Sequence, residues 1–102
     1  MNANESVSAV LADWIASLNA ADLPTAVRKA GSGTVLDTIG LIVAALDTDY
    51  GRAVRKAFPD PGASTVFGLG ESRAFGAAAA INGTCGHGED FDNTFEGCPV
   101  HS

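Results

Sequence analysis

At 102 residues and 46% hydrophobic content, the chain is large enough to build one small core. Its formal net charge of −6 and pI near 4.5 argue against nucleic acid or an anionic membrane as a partner, since both require a basic face. The opening stretch, MNANESVSAVLADW, lacks the basic start and apolar run of a secretory leader, and no apolar run approaches the ~18 residues of a membrane span, so the cytoplasm is the expected location, with two reduced cysteines.

The first predicted element is a helix from about Glu5 to Asn19, capped by Asn4 or Ser6. Val7, Val10, Leu11, Trp14, Ile15 and Leu18 recur at spacings of three and four, the pattern of one buried face. Pro24 stops it by disfavouring helical geometry at Leu23. A second helix is expected from Pro24 or Thr25 to about Asp47. After Lys29 it is apolar on most sides, which predicts burial within a larger assembly. Gly31, Gly33 and Gly40 each cost roughly 1 kcal/mol against alanine in a helix, which predicts another backbone packed close to them. Asp37 reads as a hydrogen-bonded structural group. A short third helix is expected over Asp49 to Phe58, with Arg52, Arg55 and Lys56 turned to solvent. Pro59-Asp60-Pro61-Gly62 is a turn, and Ala63 to Gly70 reads as extended. The fourth helix is expected from Ser72 to Asn82, with Gly83 ending it in a left-handed turn. Four helices and one short extended piece predict an all-α fold.

The last third carries the chemistry. Ala77 to Ser102 reads AAAAINGTCGHGEDFDNTFEGCPVHS, with His87, His101, Cys85, Cys98 and the acids Glu89, Asp90, Asp92 and Glu96. No Lys or Arg follows Arg73, so these acids have no local basic partner. Histidine near its ordinary pKa passes a proton in either direction, and carboxylates beside it can orient it or bind substrate. Glu89 and Glu96 read as solvated, His87 as a donor that fixes the loop, and Asp92 as a cap. Cys85 with His87 and Cys98 with His101 would offer four zinc ligands, but the first pair is tighter than common structural sites. A calcium loop over Asp90, Asp92, Thr94 and Glu96 lacks the required glycine and the closing glutamate. A Cys98–His101 nucleophile pair has no orienting pattern around it.

Asn82, Gly83, Thr84, His87, Asp90, Phe91, Asp92 and Thr94 match in register the pattern N-G-T-x-x-H-x-x-D-F-D-D-T, followed shortly by a histidine. In this pattern the chain resembles the MmgE/PrpD family, which includes 2-methylcitrate dehydratase, cis-aconitate decarboxylase and iminodisuccinate epimerase. LDTIGLIVAA, Leu36 to Ala45, is similar to the family's second helix. Asn93 stands where a second aspartate is usual, and His101 lies about one residue further from Thr94 than in the decarboxylase-like pattern. The resemblance implies that residues 1–102 are the N-terminal portion of a helical domain in a longer enzyme, without its lid domain. It implies a cofactor-independent lyase or isomerase, with no metal, that abstracts a proton next to a carboxylate of a small di- or tricarboxylate. It assigns Asp90, Thr94 and His101 to catalysis, with His87 and Asp92 binding substrate or shaping the loop. A homodimer is implied for the whole enzyme, and the fragment alone is expected to be inactive. The alternatives are a non-catalytic helical remnant that associates with a partner chain, or a small zinc-binding domain.

Overall fold

The computed structural model describes residues 6–91, 94–95 and 97–101. Two compact units divide the chain, Met1–Gly31 and Ser32–Ser102.

In the first unit, helix α1 runs Val7–Ser17. Ser6 is its cap, accepting a hydrogen bond from the Ala9 amide at 3.2 Å. The helix ends two residues earlier than its pattern predicts. Leu18 turns extended, and the Asn19 side chain accepts instead from the Ala21 amide at 3.0 Å, capping a short 3-10 turn over Ala20–Asp22. None of the α1 residues is buried, although the apolar spacing predicts a buried face. Helix α2, Thr25–Ala45, begins directly after Pro24, whose carbonyl accepts from the Arg28 amide at 3.1 Å. No single helix among the described residues is long and apolar enough to cross a membrane.

The second unit holds the core. Helix α3, Asp49–Ala57, follows α2 after a bend of 89°. Thr48 makes that bend with one hydroxyl. It donates to the Ala45 carbonyl at 2.7 Å and accepts from the Gly51 amide at 3.1 Å, so the end of α2 and the start of α3 share one group. Gly51 is buried at this corner, where a side chain would overlap the Ala45 carbonyl oxygen. Strand β1, Pro61–Thr65, pairs antiparallel with β2, Ser72–Arg73, so the extended stretch and turn of the sequence become a small hairpin with an irregular register. Helix α4, Phe75–His87, packs against α3 and both strands. Beyond it, β3, Thr94–Phe95, pairs antiparallel with β4, Cys98–His101. The fold is mostly helical, as expected, with two small two-stranded sheets added.

Ile42, Ala45, Leu46, Val66, Ala78, Ile81 and Cys85 form the core cluster, with Tyr50, Val54 and Leu69 packed against it. Among the described residues most of α2 is uncovered. Only Ile42 and Ala45 of the helix are buried, while Val35, Leu36 and Val43 are exposed. Nothing among the described residues lies within 4 Å of where a side chain on Gly31, Gly33 or Gly40 would begin, so the close backbone expected there would have to come from outside them. Asp37 is exposed in an open cleft with Gly33, Leu36, Gly40 and Leu41, and its carboxylate makes no hydrogen bond to a described residue. On α3, Arg52 pairs with Asp49 at 2.5 Å, and Arg55 is only partly exposed, 4.0 Å from Asp47, so the basic cluster is not simply solvated.

Candidate active site

Helix α4 extends five residues past its expected end at Asn82. The reason lies in the Asn82 side chain. Its Oδ1 accepts from the Phe67 amide at 3.1 Å, and its Nδ2 donates to the Thr65 carbonyl at 3.0 Å. The amide is thus occupied with the backbone that leaves β1, and does not turn back to end its own helix. Gly83 and Thr84 stay helical, and the helix carries Cys85, Gly86 and His87 with it.

This extension separates residues that the sequence places together in a loop. Cys85 is 1% exposed within the apolar core, while His87 is exposed in the last helical turn. Residues two apart on a helix do not face each other, so Cys85 and His87 do not converge as zinc ligands. Among the described residues no group of three or more His, Cys, Asp or Glu could hold a metal ion. Burial pushes the Cys85 thiol up, against an opposing pull from Arg55, and a buried protonated thiol is a core side chain rather than a nucleophile.

The chain leaves α4 through Gly88 and Glu89. The Asp90 amide donates to the His87 carbonyl at 2.9 Å, and Asp90 takes a positive φ of 57°. Aspartate is among the few non-glycine residues that enter this left-handed region readily. Phe91 follows at 73% exposure. Beside the turn, an apolar cavity of about 250 Å³ is lined by Leu41, Ala44, Ala45, Thr48, Cys85, Gly86, Glu89 and Phe91.

The hairpin after the turn was not legible as strand. Its register places Thr94 opposite His101 and Phe95 opposite Cys98, and Gly97 takes a φ of 77° at the bend. Two of the three expected catalytic residues are therefore cross-strand partners, although seven positions separate them in sequence. Pro99 is tolerated in β4 because a two-stranded sheet leaves every strand an edge. Asp90 lies four residues before Thr94 at the entrance to this hairpin. Asp92 and Glu96 lie outside the described residues. Over residues 9–102 the chain matches the model of the MmgE/PrpD N-terminal domain. The chain belongs to the MmgE/PrpD family. No curated protein and no solved structure matches it.

Within this MmgE/PrpD chain, sequence reasoning missed Tyr50 beside the turn and misassigned the role of Asn82. Tyr50 on α3 packs its ring on Gly88, and burial raises its phenol pKa, with Glu89 and Cys85 adding to the rise and Thr48 opposing it. No local pattern links positions 50 and 88. Asn82 was recognised as part of the motif, but its role is to clamp the backbone of residues 65–67 rather than to end a helix.

Proposed function

We propose that this chain contributes the Asp90, Thr94 and His101 group to a cofactor-independent lyase or isomerase of the MmgE/PrpD type. The reaction begins with proton abstraction next to a carboxylate of a small di- or tricarboxylate. Loss of water completes a dehydration, as in 2-methylcitrate dehydratases; return of the proton to the other face completes an epimerisation, as in iminodisuccinate epimerases. The observation that carries this reading is the hairpin register, which sets the backbone of Thr94 opposite that of His101 just beyond the Asp90 turn. In the proposed roles, His101 moves the proton, Thr94 donates a hydrogen bond to a substrate carboxylate, and Asp90 orients the histidine or binds substrate. His87 and Asp92 shape the loop. No metal or organic cofactor takes part, and the enzyme works in the cytoplasm.

The test is deuterium incorporation from heavy water into small di- and tricarboxylates by the complete polypeptide that carries these residues. Asp90→Asn and His101→Gln should each abolish exchange while leaving the circular dichroism spectrum unchanged. Full exchange in both variants would sink the assignment.

A second element of the reading is association as a homodimer. Exposed Val35, Leu36 and Val43 on α2 favour it, because a partner covering that helix would remove their apolar side chains from water. Sedimentation over a wide concentration range decides this point: a monomer throughout would count against it.

A further inference from the structure

Tyr50 lies in the first turn of α3, and none of the roles above uses it. Its ring sits where a side chain on Gly88 would be: a Cβ built there would lie 2.5 Å from Cζ of the ring. Gly88 has φ −59° and ψ −26°, right-handed backbone that any residue adopts. A side chain at position 88 would therefore meet the tyrosine ring first, and the Thr84 carbonyl oxygen at 2.9 Å. The phenol hydroxyl is buried and has no hydrogen-bond partner among the described residues. Thr48 and Glu89 are the polar residues that act on it. A buried hydroxyl left without a partner loses its water and gains nothing in return. Glu89 is exposed, so its side chain can turn toward the phenol without disturbing the core. It also stands between Gly88, which the ring covers, and Asp90, which has the positive φ.

We propose that Tyr50 is the positioning residue of the Asp90 turn: its ring seats on Gly88, its hydroxyl donates to the Glu89 carboxylate, and together these contacts fix the backbone that presents Asp90. The ring contributes a rigid wall from α3, and the hydroxyl adds direction. Burial raises the phenol pKa, so the hydroxyl stays protonated and able to donate at neutral pH. The inference rests on the reading of Asp90 as a site residue.

Tyr50 is the sole tyrosine, so phenolate absorbance reports this one group. Two measurements on the chain test the proposal. The first is amide exchange in Tyr50→Phe, which keeps the ring and removes only the hydroxyl. The Asp90 amide, bonded to the His87 carbonyl, should exchange roughly three- to tenfold faster, the range expected for one hydrogen bond. The Phe67 amide, held by Asn82, should be unchanged. The second is spectrophotometric titration, in which Glu89→Gln should lower the tyrosine midpoint. An unchanged Asp90 amide in Tyr50→Phe overturns the proposal, as does equal acceleration at Phe67 and Asp90. So does a tyrosine midpoint that ignores Glu89→Gln in a chain still folded. Should the chain unfold before tyrosine titrates, exchange at neutral pH decides alone. The enzymatic reading fails separately, through full turnover by both Asp90→Asn and His101→Gln, which leaves the amide-exchange result standing.

Discussion

Helices α1 and α4 differ in a way that neither sequence announces. α1 has a clear apolar stripe, yet no residue in it is buried, and Trp14 and Ile15 are each 56% exposed. α4 has almost no stripe, because alanine and glycine occupy most of its faces, yet Ala77, Ala78, Ile81, Cys85 and Gly86 are all buried. Periodicity reports that a helix has an apolar side. It does not report whether that side is covered. Small residues conceal their burial because they add little hydrophobic contrast, while allowing α3 and the β1–β2 hairpin to approach the helix closely.

The largest break in the comparison should come from truncating a core side chain on α4. Ile81 is 0% exposed, and Ile81→Ala should cost about 2–5 kcal/mol, because it removes apolar contact and leaves a cavity. Leu11→Ala on α1, where the side chain is 51% exposed, should stay within about 0.5 kcal/mol. Denaturant melts followed by circular dichroism measure both, and equal losses would collapse the distinction. The sole tryptophan sharpens it further: Trp14 should emit like a solvent-exposed indole and be readily quenched by acrylamide. Protected, blue-shifted emission would mean that α1 is covered in solution. The next largest effect should come from Asn82→Ala, which strips hydrogen bonds from the Phe67 amide and the Thr65 carbonyl and should cost about 1–3 kcal/mol. Thr48→Ala should follow at about 1 kcal/mol, the usual cost of a lost helix cap.

The same contrast explains what the sequence could and could not disclose. The helices were legible from apolar spacing in α1 to α3, the alanine run of α4, Pro24 and the cap at Ser6, because those signals act over one or two turns. The family motif pointed to Asp90, Thr94 and His101, and the register of the last hairpin then brought Thr94 and His101 opposite each other. The end of α4 was misread because Asn-Gly is a local stop signal that a distant partner cancels. Residues 65 and 67 take up the Asn82 amide, and the helix continues. Cys85 was read with the loop for the same reason: the extra turn carries it into the core. The Tyr50–Gly88 contact had no local sign, because glycine at 88 looks like a turn residue until the ring is seen against it.

The smallest effects should be electrostatic and should depend on pH in opposite directions. Burial raises the pKa of both Cys85 and Tyr50, so the folded chain holds those protons more tightly than the unfolded chain. Their contribution is complete below the unfolded values of 9.0 and 10.0 and is lost as pH climbs through the higher folded values. Stability should therefore begin to fall near pH 9, and Cys85→Ala should delay the first part of that fall. Glu71 behaves in the opposite sense. Its hydrogen bond and charge attraction to Arg73, at 2.5 Å, lower its pKa below 4.5, so that contribution is present above pH 4.5 and is lost as pH falls. Glu71 is 62% exposed and screened by solvent, so Glu71→Gln should move the melting temperature least of all these changes. Added salt should weaken the wild-type acid response while leaving the alkaline one nearly intact, because salt screens an exposed ion pair and barely touches a desolvation cost. An alkaline response as salt-sensitive as the acid one would mean that Cys85 and Tyr50 are not held in the dry environment that α4 gives them here.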